Sequence, residues 1–136
     1  MKQLDVTAVK ENLPKVIGFV TGMLEEAGCG IMLITQIEVA VEEIFANIVN
    51  YAYSPEVGNA TITAGFAEDP RVLIISFADC GKPYDPLSAP EPDKSIPLKQ
   101  RKKGGMGIFM VKRTMDEMAY EYKDGQNILT IKKKIG

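Results

Sequence analysis

A glutamate and an asparagine four residues apart, Glu43 and Asn47, flank the apolar residues Ile44-Phe45-Ala46 and precede Ile48-Val49. On a helix that spacing sets both side chains on one face, one turn apart. A carboxylate so placed can take the proton of a hydroxyl or water that attacks a γ-phosphate. An amide oxygen suits Mg2+, which takes few protein oxygens and completes its shell with phosphates and water. An exposed polar pair on an amphipathic helix has the same spacing, so the pair alone does not decide. Asp79 closes the apolar run Val72-Leu73-Ile74-Ile75-Ser76-Phe77-Ala78 and opens Asp79-Cys80-Gly81-Lys82-Pro83. A carboxylate at a rigid strand end can accept a hydrogen bond from an exocyclic amine such as adenine's, and Gly81 would let a base approach the backbone. A turn-forming aspartate reads equally well there.

The third group is the stretch Arg101-Lys102-Lys103-Gly104-Gly105-Met106-Gly107-Ile108, in which a basic, glycine-rich loop runs into the amphipathic segment Phe109-Met110-Val111-Lys112. Glycines admit close backbone approach and positive φ, and the free N–H groups of a following helix favour anions. The spacing is neither GxxxxGK[ST] nor GxGxxG, so P-loop and dinucleotide-fold readings fail. Arg101 is the best candidate for a γ-phosphate contact, because arginine pairs with two phosphate oxygens at once. A solvated run of charge before a flexible helix start is the plain alternative.

The elements that must position these groups follow from periodicity. Leu4, Val6 and Ala8 alternate as a first strand. Val9 to Ala27 carries a helical stripe of Leu13, Val16, Ile17, Val20, Met23 and Leu24, with Pro14 in the first turn and Gly28 as the stop. A longer helix is expected from Ile31 to Tyr53, facing inward through Ile34, Ile37, Val41, Ile44, Ile48 and Tyr51. Ala60–Ala67 and Val72–Ala78 read as a hairpin across Glu68-Asp69-Pro70-Arg71. Five prolines interrupt Gly81 to Gly105, where a lid over approximately 84–103 and an inert surface loop are both open readings. Ile108–Met115 should be a short helix, and Ala119–Lys123 and Asn127–Lys133 a second hairpin across Asp124-Gly125. The order βααββαββ implies one α/β (α+β) two-layer sandwich, residues 1–136, with a mixed, mainly antiparallel sheet and helices on one face.

Composition narrows the chemistry. With 136 residues, 46% apolar and 25% charged, the chain can bury a real core without staples, and a net charge of −2 gives no global pull towards nucleic acid or anionic membrane. Histidine is absent, which removes Ser-His-Asp triads, Cys-His pairs, histidine metal sites and phosphohistidine within the chain. Cys29 and Cys80 lack CxxC spacing and fit a reducing compartment. Neither a signal core nor an apolar run of the roughly 20 residues that span a bilayer is present, so a soluble, cytoplasmic protein is expected.

Taken in order, Glu43-Ile44-Phe45-Ala46-Asn47, Asp79-Cys80-Gly81-Lys82-Pro83 and Gly104-Gly105-Met106-Gly107-Ile108-Phe109-Met110-Val111 resemble the asparagine box and two glycine boxes of the GHKL ATPase superfamily. Tyr84-Asp85-Pro86 and the ending Lys123-Asp124-Gly125-Gln126-Asn127-Ile128-Leu129-Thr130 look like its anti-sigma-factor serine kinase branch. The resemblance implies the histidine-kinase-like ATPase fold, ATP with Mg2+, and Glu43 as catalytic base with Asn47 as metal ligand. It implies Asp79 and Gly81 at the adenine and Gly105 and Gly107 at the phosphates, within a cofactor-binding set that also takes in Arg101, Gly104 and Ile108. It further implies a homodimer that sequesters a sigma factor or other regulator and phosphorylates a serine of a small STAS-type anti-anti-sigma protein. Contact with nucleic acid or membrane is not expected. A non-catalytic module that sequesters a partner in an ATP-dependent way is the alternative, and both need Asp79.

Overall fold

The computed structural model describes residues 1–53, 56–67, 71–88 and 105–135. Five strands, β1 (Lys2–Thr7), β2 (Asn59–Phe66), β3 (Val72–Asp79), β4 (Glu117–Lys123) and β5 (Gln126–Lys134), form one sheet in the order β1-β2-β3-β5-β4. All four pairs are antiparallel, as the mainly antiparallel expectation has it, and no parallel pair among the described strands makes the sheet mixed. Among the described residues three α-helices, α1 (Leu13–Glu26), α2 (Ile31–Asn47) and α3 (Gly105–Thr114), accompany the sheet.

Strand alternation decides which sheet face is covered. Val6, Ala60, Ile62, Ala64, Leu73, Ile75, Phe77, Leu129 and Ile131 share one face and are buried together with Val16, Val20, Leu24, Ile37, Val41, Ile44, Phe45, Ile108 and Val111 of the helices. The other face carries Gln3, Asp5, Thr61, Thr63, Ser76 and Thr130, tied by Thr61–Asp5 and Ser76–Thr130 hydrogen bonds. The outcome is the expected two-layer arrangement with helices on one face.

Local signals act as chain chemistry requires. A 3-10 turn (Lys10–Asn12) leads into α1, whose second residue is Pro14. Gly28, at φ 77°, ends that helix with Gly28 N–H donating to Glu25 O and Cys29 N–H to Leu24 O, the paired bonds of a Schellman stop. Asp124 and Gly125 both take positive φ in the two-residue β4–β5 turn, the type I′ geometry that matches strand twist.

Two expectations are corrected. The long helix is α-helical only to Asn47, and Ile48–Ala52 forms a π-helical turn. In that wider turn an i, i+3 step no longer returns to the same face, so Tyr51, expected inward, is 46% exposed while Ile48 stays buried. Helix α3 begins at Gly105, three residues before the expected start. Gly107 therefore sits in the helix's first turn rather than in a loop, and its φ is not positive. The hairpin turn at 68–70 and the lid beyond residue 88 lie outside the described residues.

Candidate functional site

Helix α2, its π turn and the end of β3 meet over an open cleft holding about 420 Å3 of empty space, counted out to its mouth. Ile44, Asn47, Ile48, Tyr51 and Ala52 form one wall. Phe77 and Asp79 of β3 with Asn127 and Leu129 of β5 form the floor, and Lys82, Tyr84 and Pro86 form the rim. The lining is mostly apolar with a few fixed polar groups, the character of small-molecule sites.

The polar groups on the floor are set by register. Following Leu73, Ile75 and Phe77, the inward phase of β3 reaches Asp79, and that of β5, read back from Ile131 and Leu129, reaches Asn127. The two face one another across the β3–β5 ladder, and both are buried at 6% and 7% exposure. Asp79 Oδ1 accepts from Gly81 N–H at 2.9 Å and from Asn127 Nδ2 at 3.0 Å. A carboxylate held this way at the end of a rigid strand is a fixed acceptor aimed at the cleft.

Gly81 has a steric reason that the sequence does not suggest. A Cβ there would run into the carbonyl group of Ala52 at the end of the π turn, and Lys82 N–H donates to that same carbonyl at 2.9 Å. The glycine is required by the helix end that packs on it. Tyr53 locks the same corner: its hydroxyl donates to Asn59 O at 2.6 Å and accepts from Cys80 N–H at 2.7 Å, and Gly58 leaves room for its ring. Burial pushes the Tyr53 hydroxyl up from its ordinary value, which keeps its proton in place for donation.

Glu43 stands one helical turn before Asn47, outside the lining of the cleft, and meets the other candidate element. A Cβ on Gly107 would overlap the Glu43 carboxylate, so the first turn of α3 rests directly on that side chain. Burial is the larger cause that raises the Glu43 pKa from its ordinary value, and repulsion from Glu42 adds to it. Ile108 is buried in the core, which leaves only its backbone to face a ligand. Among the described residues no group of three His, Cys, Asp or Glu side chains could hold a metal. The donor set thus fits Mg2+ only as a shared ion, Asn47 with phosphate oxygens. Arg101 and Gly104 lie outside the described residues.

The Gly107 contact yields a two-sided prediction. The overlapped atoms are the end of a flexible side chain, and alanine is favoured over glycine inside a helix by about 1 kcal/mol. Gly107→Ala should therefore keep or slightly raise the melting temperature while displacing the Glu43 carboxylate. A thermal melt read beside a structure of the variant checks both halves, and a large loss of stability would overturn the account.

Asn127 and Tyr53 were not singled out as site residues from sequence. Asn127 was legible as a polar residue in the inward phase of an otherwise apolar strand; for Tyr53, beyond a phase-shifting π turn, no sequence signal exists.

A profile of the family described as "histidine kinase-like ATPase domain" matches residues 6–133. The serine-protein kinase RsbW of Bacillus cereus (strain G9842) is 30% identical over 103 residues, 73% of this chain and 63% of that protein. The same-named protein of strain AH187 is 30% identical over 115 residues, 82% and 71% of the two chains. The serine/threonine-protein kinase BtrW of Bordetella bronchiseptica is 32% identical over 91 residues, 66% and 63%. The chain thus spans less than two thirds of the length of some of the curated relatives it matches. Among solved structures, the RsbU and RsbW domains of Rv1364c from Mycobacterium tuberculosis superpose with a TM-score of 0.69 at 19% identity, covering 99% of this chain and 33% of that one. At that identity the likeness is one of fold.

Proposed function

Because the chain belongs to the histidine kinase-like ATPase family, we propose that it binds Mg-ATP in the cleft over Asp79 and transfers the γ-phosphate to a serine of a partner protein. The observation that carries this reading is the convergence of Asp79 and Asn47 on one cleft, with Glu43 one turn away beneath Gly107. Its relatives are named serine-protein kinases, which supports the reaction class.

Each residue then has a physical task. Asp79 takes a hydrogen bond from the exocyclic amine of adenine, with Gly81 holding the turn that presents it. Asn47 offers its amide oxygen to Mg2+, which when bound neutralises phosphate charge. The backbone of Gly105, Gly107 and Ile108 at the start of α3 faces the phosphates, and Gly104 and Arg101 are assigned to the same phosphates by the family resemblance. Glu43 accepts the serine hydroxyl proton as the serine oxygen bonds to the γ-phosphorus and the bond from that phosphorus to the β–γ bridging oxygen breaks. The raised Glu43 pKa makes it a better base at neutral pH.

The partner is a small STAS-type anti-anti-sigma protein, and the kinase, as a cytoplasmic homodimer, sequesters a sigma factor or other regulator until that protein displaces it. No helix among the described residues is long and apolar enough to cross a membrane. The test is to incubate the protein with γ-labelled Mg-ATP and a STAS-type protein and map the label. Phosphoserine on the partner is expected. Labelled ATP bound without transfer, together with an ATP-dependent change in partner affinity, would favour the non-catalytic sequestering module. Absence of ATP binding would end both readings.

A further inference from the structure

Asn127 is, with Asp79, one of two buried polar residues among those described. Both ends of its amide are engaged. Nδ2 donates to Asp79 Oδ1 at 3.0 Å and to Lys82 O at 2.9 Å, while Oδ1 accepts from Tyr84 N–H at 3.0 Å and from the Tyr120 hydroxyl. The amide therefore has one allowed orientation. Turned over, it would set its carbonyl against a carboxylate and a carbonyl, and its NH2 against an N–H.

This one side chain joins three pieces: the carboxylate at the end of β3, the backbone of the turn at Lys82 and Tyr84, and β4 through Tyr120. The hydrogen bonds that described residues give Asp79 both go to Oδ1, from Gly81 N–H and Asn127. With Oδ1 committed, the carboxylate plane is fixed and Oδ2 is the oxygen left for a ligand. We propose that Asn127 is the positioning residue of the base subsite, holding Asp79 and the 82–84 turn in the arrangement that accepts an exocyclic amine. This rests on the reading of the cleft as an adenine-nucleotide site.

Asn127→Asp tests it with little change of shape. The variant replaces the NH2 donor by an oxygen that faces Asp79 Oδ1 and Lys82 O, so two carboxylates repel where one hydrogen bond held them. Asn127→Ser serves as a second variant should the first not fold, as judged by its melt without nucleotide. Affinities are measured by calorimetric titration for Mg-ATP and for Mg-ITP, which carries a carbonyl where ATP has the amine. The expected result is ATP binding weakened about 10- to 100-fold, the worth of a hydrogen bond to a charged group, with ITP binding changed by less than about threefold. The ATP-to-ITP preference thus collapses. A residue with a merely structural role would weaken both nucleotides together, and an unchanged preference in the variant that folds overturns the proposal. If the natural protein binds neither nucleotide, it is the adenine-nucleotide reading that fails; if it prefers ATP and the variants do too, only the role of Asn127 fails.

Discussion

Glu43→Gln is expected to slow phosphate transfer to the partner serine by roughly 10²- to 10⁴-fold, the usual worth of a general base, while Mg-ATP affinity stays within a few-fold. Glutamine keeps the shape under Gly107 and removes only the proton acceptor. The pH profile sharpens the test. Burial and the Glu42 charge raise the Glu43 pKa, so transfer by the natural protein should quicken as pH rises through a window above that of an ordinary glutamate, and the variant should lose this limb. Stability should move the other way. A carboxyl whose folded-state pKa lies above its unfolded value holds its proton more tightly when folded, so its ionisation as pH rises weakens the fold. Glutamine removes that loss, and the variant should melt no lower than the natural protein at neutral pH. Slow transfer combined with an undiminished melting temperature separates a base from a structural residue, and unchanged transfer would rule Glu43 out as the base.

Most of the fold was legible because its signals are local. Alternation in β3 and β5, the 3.6-residue stripe of α1, Pro14, Gly28 and the Asp124-Gly125 turn each act within a few residues of where they are read. What escaped depends on contacts distant in sequence. The π turn ends where Lys82 N–H meets Ala52 O, thirty residues apart, and no periodicity within α2 announces it. Helix α3 starts early on two glycines that a propensity reading leaves in the loop, because tertiary packing on Glu43 outweighs the roughly 1 kcal/mol that each glycine costs a helix. The site was half legible. Asp79, Asn47 and Glu43 stand out as polar residues in apolar surroundings, as Asn127 does in β5, whereas the pairing of Asn127 with Asp79 appears only when the two strands are laid in register.

Gly81→Ala is expected to lower stability by about 2–4 kcal/mol, the sum of overpacking and of a weakened hydrogen bond. At the size of this chain that is roughly a 5–15 °C fall in melting temperature. What the added methyl meets decides the outcome. At Gly107 it meets the tip of a glutamate side chain, which can swing aside. At Gly81 it meets the carbonyl oxygen, carbonyl carbon and Cβ of Ala52 in the π turn. That backbone is held in place by Lys82 N–H, and the next residue, Tyr53, is bonded to both Asn59 and Cys80. Relief must therefore come from the 80–84 turn moving off the helix end. Such movement also takes the Gly81 N–H away from Asp79 Oδ1 and the Lys82 carbonyl away from Asn127. Loss of stability and loss of nucleotide affinity should then appear together in Gly81→Ala, in contrast to Gly107→Ala. A Gly81→Ala protein with an unchanged melt would mean that the turn yields freely, and that the helix end does not position Asp79.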